Sequence, residues 1–317
     1  MTLPNFLIFG VQKAGTTSIY NYLKQHPQVF MSPLKETDFM GRESAADPED
    51  AEVEVQLTRG GRQQILNIRD YRALFDGATD EIAIGEASPN YLFSHARAVA
   101  NIQHHTPDAK LIAVLRNPIE RAYSDYLMHV RQVVGNRKPL SEQVKTSGNT
   151  SHTLLKGCYY EGVKHFLDTF GADQVKLFLY EDLRKDSAAL MREVYEFIGV
   201  DPDFDADTSK RQQKAEIPKN QKLNQLLRTN NPLRSAVGKV LRLLLPEEKR
   251  QALRSKLIAA NSQGKEGMPL SDEDRRLLED YYREDILRLQ DLIGCDLSGW
   301  FKVTEPGTLA SATASRD

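Results

Sequence analysis

Cysteine and tryptophan are scarce, with two Cys and a single Trp in 317 residues. Cys158 and Cys295 lie too far apart in the chain for a zinc knuckle, and two thiols make no disulfide framework. Both read as small buried side chains. An excess of one charge is also lacking. Lys plus Arg number 42 and Asp plus Glu 44, a net charge of −2, which argues against a globally basic nucleic-acid binder. No apolar run approaches the roughly 20 residues that span a bilayer. The run at 6–11 is too short for a secretory signal and has no charged leader. Nor is there a His, Cys and acid cluster with metal-ligand spacing, so no metal is expected. What is present is 40% apolar residues, enough for a sizeable core. A soluble, cytoplasmic protein is expected.

Short apolar runs alternate with helical periodicity. Phe6–Phe9, Val29–Met31, Ile82–Ile84, Lys110–Leu115 and Val175–Tyr180 read as strands. Helices are expected from Ile19 to His26, where Pro27 stops the first, and over 96–105, 118–133, 160–170, 188–198 and 271–293. Ser271 is placed to cap the last, with Glu273 and Asp274 in its first turn. This alternation predicts an α/β fold with a central, mostly parallel sheet flanked by helices, in one domain over 1–302. Residues 41–64 are acidic, contain Gly60-Gly61 and read as a surface excursion. From Lys210 to Lys265 there are 14 Lys or Arg against three Glu, so 219–265 reads as a basic helical segment. It could be a solvated surface, a source of cations for an anionic ligand, or, through the apolar face of Leu233–Leu245, a contact with a membrane surface or a cover for the active site. The covering role is preferred. Residues 303–317 have the composition of a disordered tail.

The informative stretch is Gly10-Val11-Gln12-Lys13-Ala14-Gly15-Thr16-Thr17-Ser18. A strand runs into a loop with two glycines, and the loop opens a helix rich in hydroxyls. Unpaired N–H groups and the helix dipole favour an anion there, so the stretch reads as a phosphate or sulfate cradle. Gly10 and Gly15 have the spacing of a nucleotide-triphosphate loop, but Thr16 stands where that loop has lysine, and the lysine sits earlier at Lys13.

Residues 12–18 resemble the 5′-phosphosulfate-binding loop of sulfotransferases, which use 3′-phosphoadenosine-5′-phosphosulfate (PAPS). Pro33-Leu34-Lys35-Glu36 resembles the Lys-Glu pair that follows this loop in heparan-sulfate-type and many bacterial members. Leu115–Tyr126 is similar to the family's 3′-phosphate element, and Gly157-Cys158-Tyr159 and Leu179–Leu183 to its later blocks. The blocks occur in the family's order between residue 5 and about residue 200. The resemblance implies a P-loop-like three-layer fold with a helical C-terminal extension. It assigns Lys13, Ala14, Gly15, Thr16, Thr17 and Ser18 to the 5′ side of the donor, and Arg116 and Ser124 to the 3′-phosphate. Lys214, in a loosely matched late block, is a further cofactor-binding candidate. Glu36 would be the general base and Lys13 the cation that neutralises the leaving phosphate. No metal is implied, and the acceptor would bear a hydroxyl.

On physical grounds Arg116 is expected at the carboxyl end of a strand, where ligands bind in open α/β sheets, and a guanidinium suits a terminal phosphate. Ser124 falls near Arg121 on one helical face. Lys35 and Glu36 are expected to point apart. The sequence departs from the heparan-type pattern at Gly85-Glu86-Ala87, where a lysine would follow the glutamate, and this argues against a glycosaminoglycan acceptor. Glu86 reads either as facing the cleft or as a buried structural carboxylate. His26 and His104-His105 read as helix-end residues, with His152 a weak candidate for the acceptor side. The rival readings are a phosphate-loop kinase and a non-catalytic anion- or membrane-binding protein on the same scaffold.

Overall fold

Strand β1 (Phe6–Gly10) is buried at every position, as its unbroken apolar run requires. The computed structural model describes residues 2–42, 65–209, 216–228, 247–264 and 267–301. Around β1 stand β2 (Val29–Met31), β3 (Ala83–Ala87), β4 (Lys110–Leu115) and β5 (Val175–Leu179), in the order β2-β3-β1-β4-β5. Every pairing in this sheet is parallel. The chain leaves β1 towards β2 on one side and leaves β4 towards β5 on the other. The carboxyl ends of β1 and β4 therefore flank the topological switch point, where open α/β sheets form their ligand crevice.

Helix α1 (Thr16–Leu23) follows β1, and α2 (Ile68–Ala73) and α3 (His95–His105) flank β3 in the chain. After β4 comes α4 (Pro118–Gln132), with Pro118 in its first turn. Asn117 caps it, its Oδ1 accepting from the N–H of Ile119 at 3.0 Å. Then come α5 (Leu140–Ser147), α6 (His152–Leu155) and α7 (Tyr160–Phe170). The strand expected to reach Tyr180 stops at Leu179, because Tyr180 opens a short helix, α8 (Tyr180–Lys185), before α9 (Ser187–Ile198).

The basic segment is described in part. A two-stranded antiparallel ribbon, β6 (Glu216–Pro218) with β7 (Ser262–Gly264), closes around α10 (Gln221–Arg228) and α11 (Glu247–Ala260). It is fastened to the end of α4, where the Asn224 amide donates to the carbonyls of Val130 and Arg131 at 3.3 and 2.9 Å. Lys214, most of the acidic excursion (43–64), the apolar face at 233–245 and the tail at 303–317 lie outside the described residues. No helix among the described residues is long and apolar enough to cross a membrane.

The last helix, α12 (Asp272–Ile293), begins at Ser271, whose hydroxyl accepts from the N–H of Asp274 at 3.0 Å as expected. Leu278, Tyr282, Ile286 and Leu289 form its buried stripe, spaced for one helical face. That face packs on α4, α5 and α7.

Candidate active site

Two phosphate-binding elements expected from separate parts of the sequence meet at the switch point. The loop from β1 to α1 passes through Lys13 and Gly15, both at positive φ (73° and 82°). Gly15 caps α1 with no side-chain acceptor, so the first N–H groups of the helix have no side-chain cap. Arg116 leaves the end of β4 and donates through Nη1 to the carbonyl of Lys13 at 2.6 Å. Its guanidinium stacks 4.6 Å from the centre of the Tyr180 ring, and the Tyr159 hydroxyl donates to its carbonyl at 2.9 Å. One of the five guanidinium donors thus fixes the loop, which leaves others for a ligand. Ser124 is half-buried about two turns into α4.

Lys13 is a half-buried cation on this loop. Its ammonium lies 3.7 Å from the Met128 sulfur, and no carboxylate among the described residues reaches it. Burial pushes its pKa down. Asp125 pulls it back up, Arg116 and Arg121 press it down, and Glu36 raises it again. These couplings place Lys13, Asp125, Arg116, Arg121 and Glu36 in one electrostatic site.

Glu36 stands on the opposite wall, also at positive φ (63°), with its N–H donating to the Ala87 carbonyl at 2.9 Å. Four non-glycine residues among those described have positive φ, and Lys13, Glu36 and Asp38 are three of them. Such conformations cost energy and concentrate at functional sites. The expectation that Lys35 and Glu36 point apart is corrected, since their ammonium and carboxylate pair at 2.9 Å. The positive φ of Glu36 breaks the extended geometry on which that expectation rested.

Of the two readings of Glu86, the structure supports the buried carboxylate. It is fully buried and accepts from Tyr91 at 2.8 Å, from Thr37 at 3.2 Å and from Ser88. Burial pushes its pKa up to about 7 against the pull of these hydroxyls. The same hydroxyls hold the Glu36 loop. Ser88 accepts from the N–H of Asp38 at 3.0 Å and Tyr91 from that of Met40 at 3.2 Å. Glu86 thus anchors the wall that presents Glu36.

Two charged residues of the site escaped the sequence reading. Asp125 is buried beside Ser124 and lies 3.9 Å from the Arg121 guanidinium. Lys156 precedes the Gly157 block and donates to Gln12 of the loop at 2.9 Å. Its position ahead of that block was the available signal. Arg121 is wholly buried, with Nε and Nη1 lacking hydrogen-bond partners. His26 is structural, its imidazole 3.0 Å from the carbonyl of Asp201 and packed against Tyr195 and Phe204. His152 is exposed and touches Phe93. The expectation of buried thiols is corrected, since Cys158 is exposed and Cys295 half-buried.

A family model described as "Sulfotransferase family" matches residues 4–205, well over half of the chain. The chain belongs to the sulfotransferase family. The match runs from β1 through α9, so Lys13, Glu36, Arg116, Ser124 and Lys156 all lie within it. Among curated proteins, the chain is 26% identical to the bifunctional heparan sulfate N-deacetylase/N-sulfotransferase 4 of Mus musculus, over 95% of this chain and 31% of that protein. It is 29% identical to the heparan sulfate glucosamine 3-O-sulfotransferase 3B1 of Homo sapiens, over 62% of this chain and 46% of that protein. The chain therefore spans less than half the length of these sulfotransferases. A solved sulfotransferase from Alicyclobacillus acidocaldarius superposes with a TM-score of 0.67 at 26% identity, covering 95% of this chain and 100% of that one.

Proposed function

We propose that this sulfotransferase-family protein moves a sulfuryl group from PAPS to an acceptor hydroxyl by in-line displacement. The observation that carries the reading is the contact of Arg116 with the Lys13 carbonyl, which joins the expected 3′-phosphate element to the expected 5′ loop. The residues present suit the donor. The loop offers uncapped helical N–H groups and a lysine without a carboxylate, and the Arg116 guanidinium and Ser124 hydroxyl are donors of the kind a second phosphate needs. PAPS, when bound, supplies the activated sulfuryl group.

The chain's residues would then divide the work. Glu36 takes the proton of the acceptor hydroxyl as its oxygen bonds to sulfur. Lys13 neutralises the charge left on the 5′-phosphate as its bond to sulfur breaks. Arg116 and Ser124 hold the 3′-phosphate, and Gly15 to Ser18 hold the 5′ side. The acceptor class is a carbohydrate, a lipid-linked glycan or a small natural product. The names of the curated relatives point to heparan sulfate, but Ala87 lacks the lysine of that pattern. The kinase reading is disfavoured because Thr16, in place of its lysine, is buried at the start of α1.

The test is release of adenosine 3′,5′-bisphosphate (PAP) from PAPS across a panel of hydroxyl acceptors. Glu36→Gln should lower turnover by about 10² or more while PAP still binds. Turnover at the parent rate in Glu36→Gln would remove Glu36 as base, and no release with any acceptor would count against the transfer itself.

A further inference from the structure

The wall that presents Glu36 has a gap in its charge. Ala87 ends β3 with a fully buried methyl group, and its carbonyl accepts from the N–H of Glu36. A different lysine meets the β1–α1 loop from the other side. Lys156 follows α6 and reaches over the loop, donating to Gln12 Oε1 at 2.9 Å with its ammonium 5.6 Å from the Phe93 ring. It is half-buried and shares the charges of Asp125, Arg121 and Glu36 with Lys13. Burial lowers its pKa, Asp125 raises it, Arg121 lowers it, and Asp38 and Glu36 raise it. Lys13 and Lys156 thus both feel the Glu36 charge, one from the β1–α1 loop and the other from the segment after α6.

Lys156 also lines a narrow cleft with Gln12, Asn90, Phe93 and Tyr159. Asn90 contributes a buried Oδ1 with no hydrogen-bond partner. The segment carrying Lys156 is held rigidly. The Tyr282 hydroxyl of α12 donates to the Leu154 carbonyl at 2.8 Å, and a Cβ on Gly157 would meet that same ring at 2.8 Å. An ammonium carried on a held segment and hydrogen-bonded to the loop can be aimed at a transferring group with little reorganisation.

We infer that Lys156 is a catalytic residue that supplies the cation Ala87 omits, its ammonium gripping the sulfuryl oxygens as the group passes from donor to acceptor. This rests on the sulfuryl-transfer reading above. The bond from sulfur to the 5′-phosphate oxygen breaks, and the bond from sulfur to the acceptor oxygen forms. The acceptor proton goes to Glu36, and PAP leaves with the electron pair. Lys156 exchanges no proton and balances charge on the sulfuryl oxygens throughout.

The experiment measures affinities of the full chain for PAPS and for PAP by calorimetry, and PAP release from PAPS with water as acceptor. Lys156→Met should weaken PAPS by about tenfold and leave PAP within twofold, because only the donor carries the sulfuryl group. PAP release should fall by at least as much, and Lys156→Arg should restore most of both. An unchanged ratio of the two affinities would overturn the inference. So would equal weakening of PAPS and PAP, which is the mark of a structural role. A wild-type chain that binds neither nucleotide would instead remove the sulfuryl-transfer reading, and this inference with it.

Discussion

Lys13 and Glu36 hold backbone conformations that L-residues avoid, and Gly15 holds one that suits glycine. A Cβ on Gly15 would lie 2.6 Å from Leu183 Cδ2, against α8. Gly15→Ala should therefore cost about 1–3 kcal/mol of stability, read as a lowered Tm, and weaken PAP binding along with it. Lys13→Ala should lower turnover by far more than it lowers PAP affinity, and an unchanged rate would remove Lys13 from the mechanism. Glu86 makes a prediction about pH. Its folded pKa, about 7, lies above the ordinary 4.5, so the folded state keeps a proton that the unfolded chain has lost. Stability should fall as pH rises through that window. Glu86→Gln should flatten that fall in urea melts at pH 5 and pH 8, and an unflattened slope would show that the carboxyl titrates elsewhere. The places of Lys13 on the β1–α1 loop and of Arg116 at the end of β4 were legible from the motifs. Lys156 and Asp125 were not. Their importance comes from converging on one point across 144 residues of chain between Lys156 and Gln12, and spacing alone carries no such information.

Elements were read with different success for physical reasons. Four of the five strands are apolar runs visible as such, but β3, read as Ile82–Ile84, runs over Ala83–Ala87, because Gly85 and Glu86 interrupt the apolar pattern while parallel pairing with β1 continues. Helix α8 was not visible, because Leu179-Tyr180 continues the apolar run of β5 and the switch to helix rests on tertiary contacts with the loop, including the Arg116–Tyr180 stack. The last helix was recognised by its cap, but its role was hidden. Asp285 on α12 accepts from the N–H of Tyr159 at 2.7 Å and of Tyr160 at 3.2 Å, capping α7 from a distant part of the chain. Burial raises the Asp285 pKa to about 6, despite those two bonds. Asp285→Ala should cost about 1–2 kcal/mol, the usual value of a lost cap, measured by urea unfolding. It should also loosen the 154–160 segment and lower turnover without abolishing PAP binding. Loss of PAP binding in step with turnover would mean that α12 supports the whole site and not this segment.

At the scale of the molecule, the sheet order decides the geometry. With β1 central and the chain departing to opposite sides from β1 and β4, the crevice between their ends receives the loop, Arg116 and the start of α1 together. The near-balanced net charge conceals this. Lys13, Arg116, Arg121 and Lys156 gather at the crevice with Asp125 and Glu36 among them, so composition excluded a basic binder without revealing an anion site. The central claim is that the crevice is built for a nucleotide with a 3′-phosphate and needs no metal. It is tested most directly by calorimetric titration with PAP, ADP and ATP, each with and without magnesium. The account predicts clear preference for PAP, unaffected by magnesium and weakened most by Arg116→Ala. Preference for ATP that depends on magnesium would contradict it.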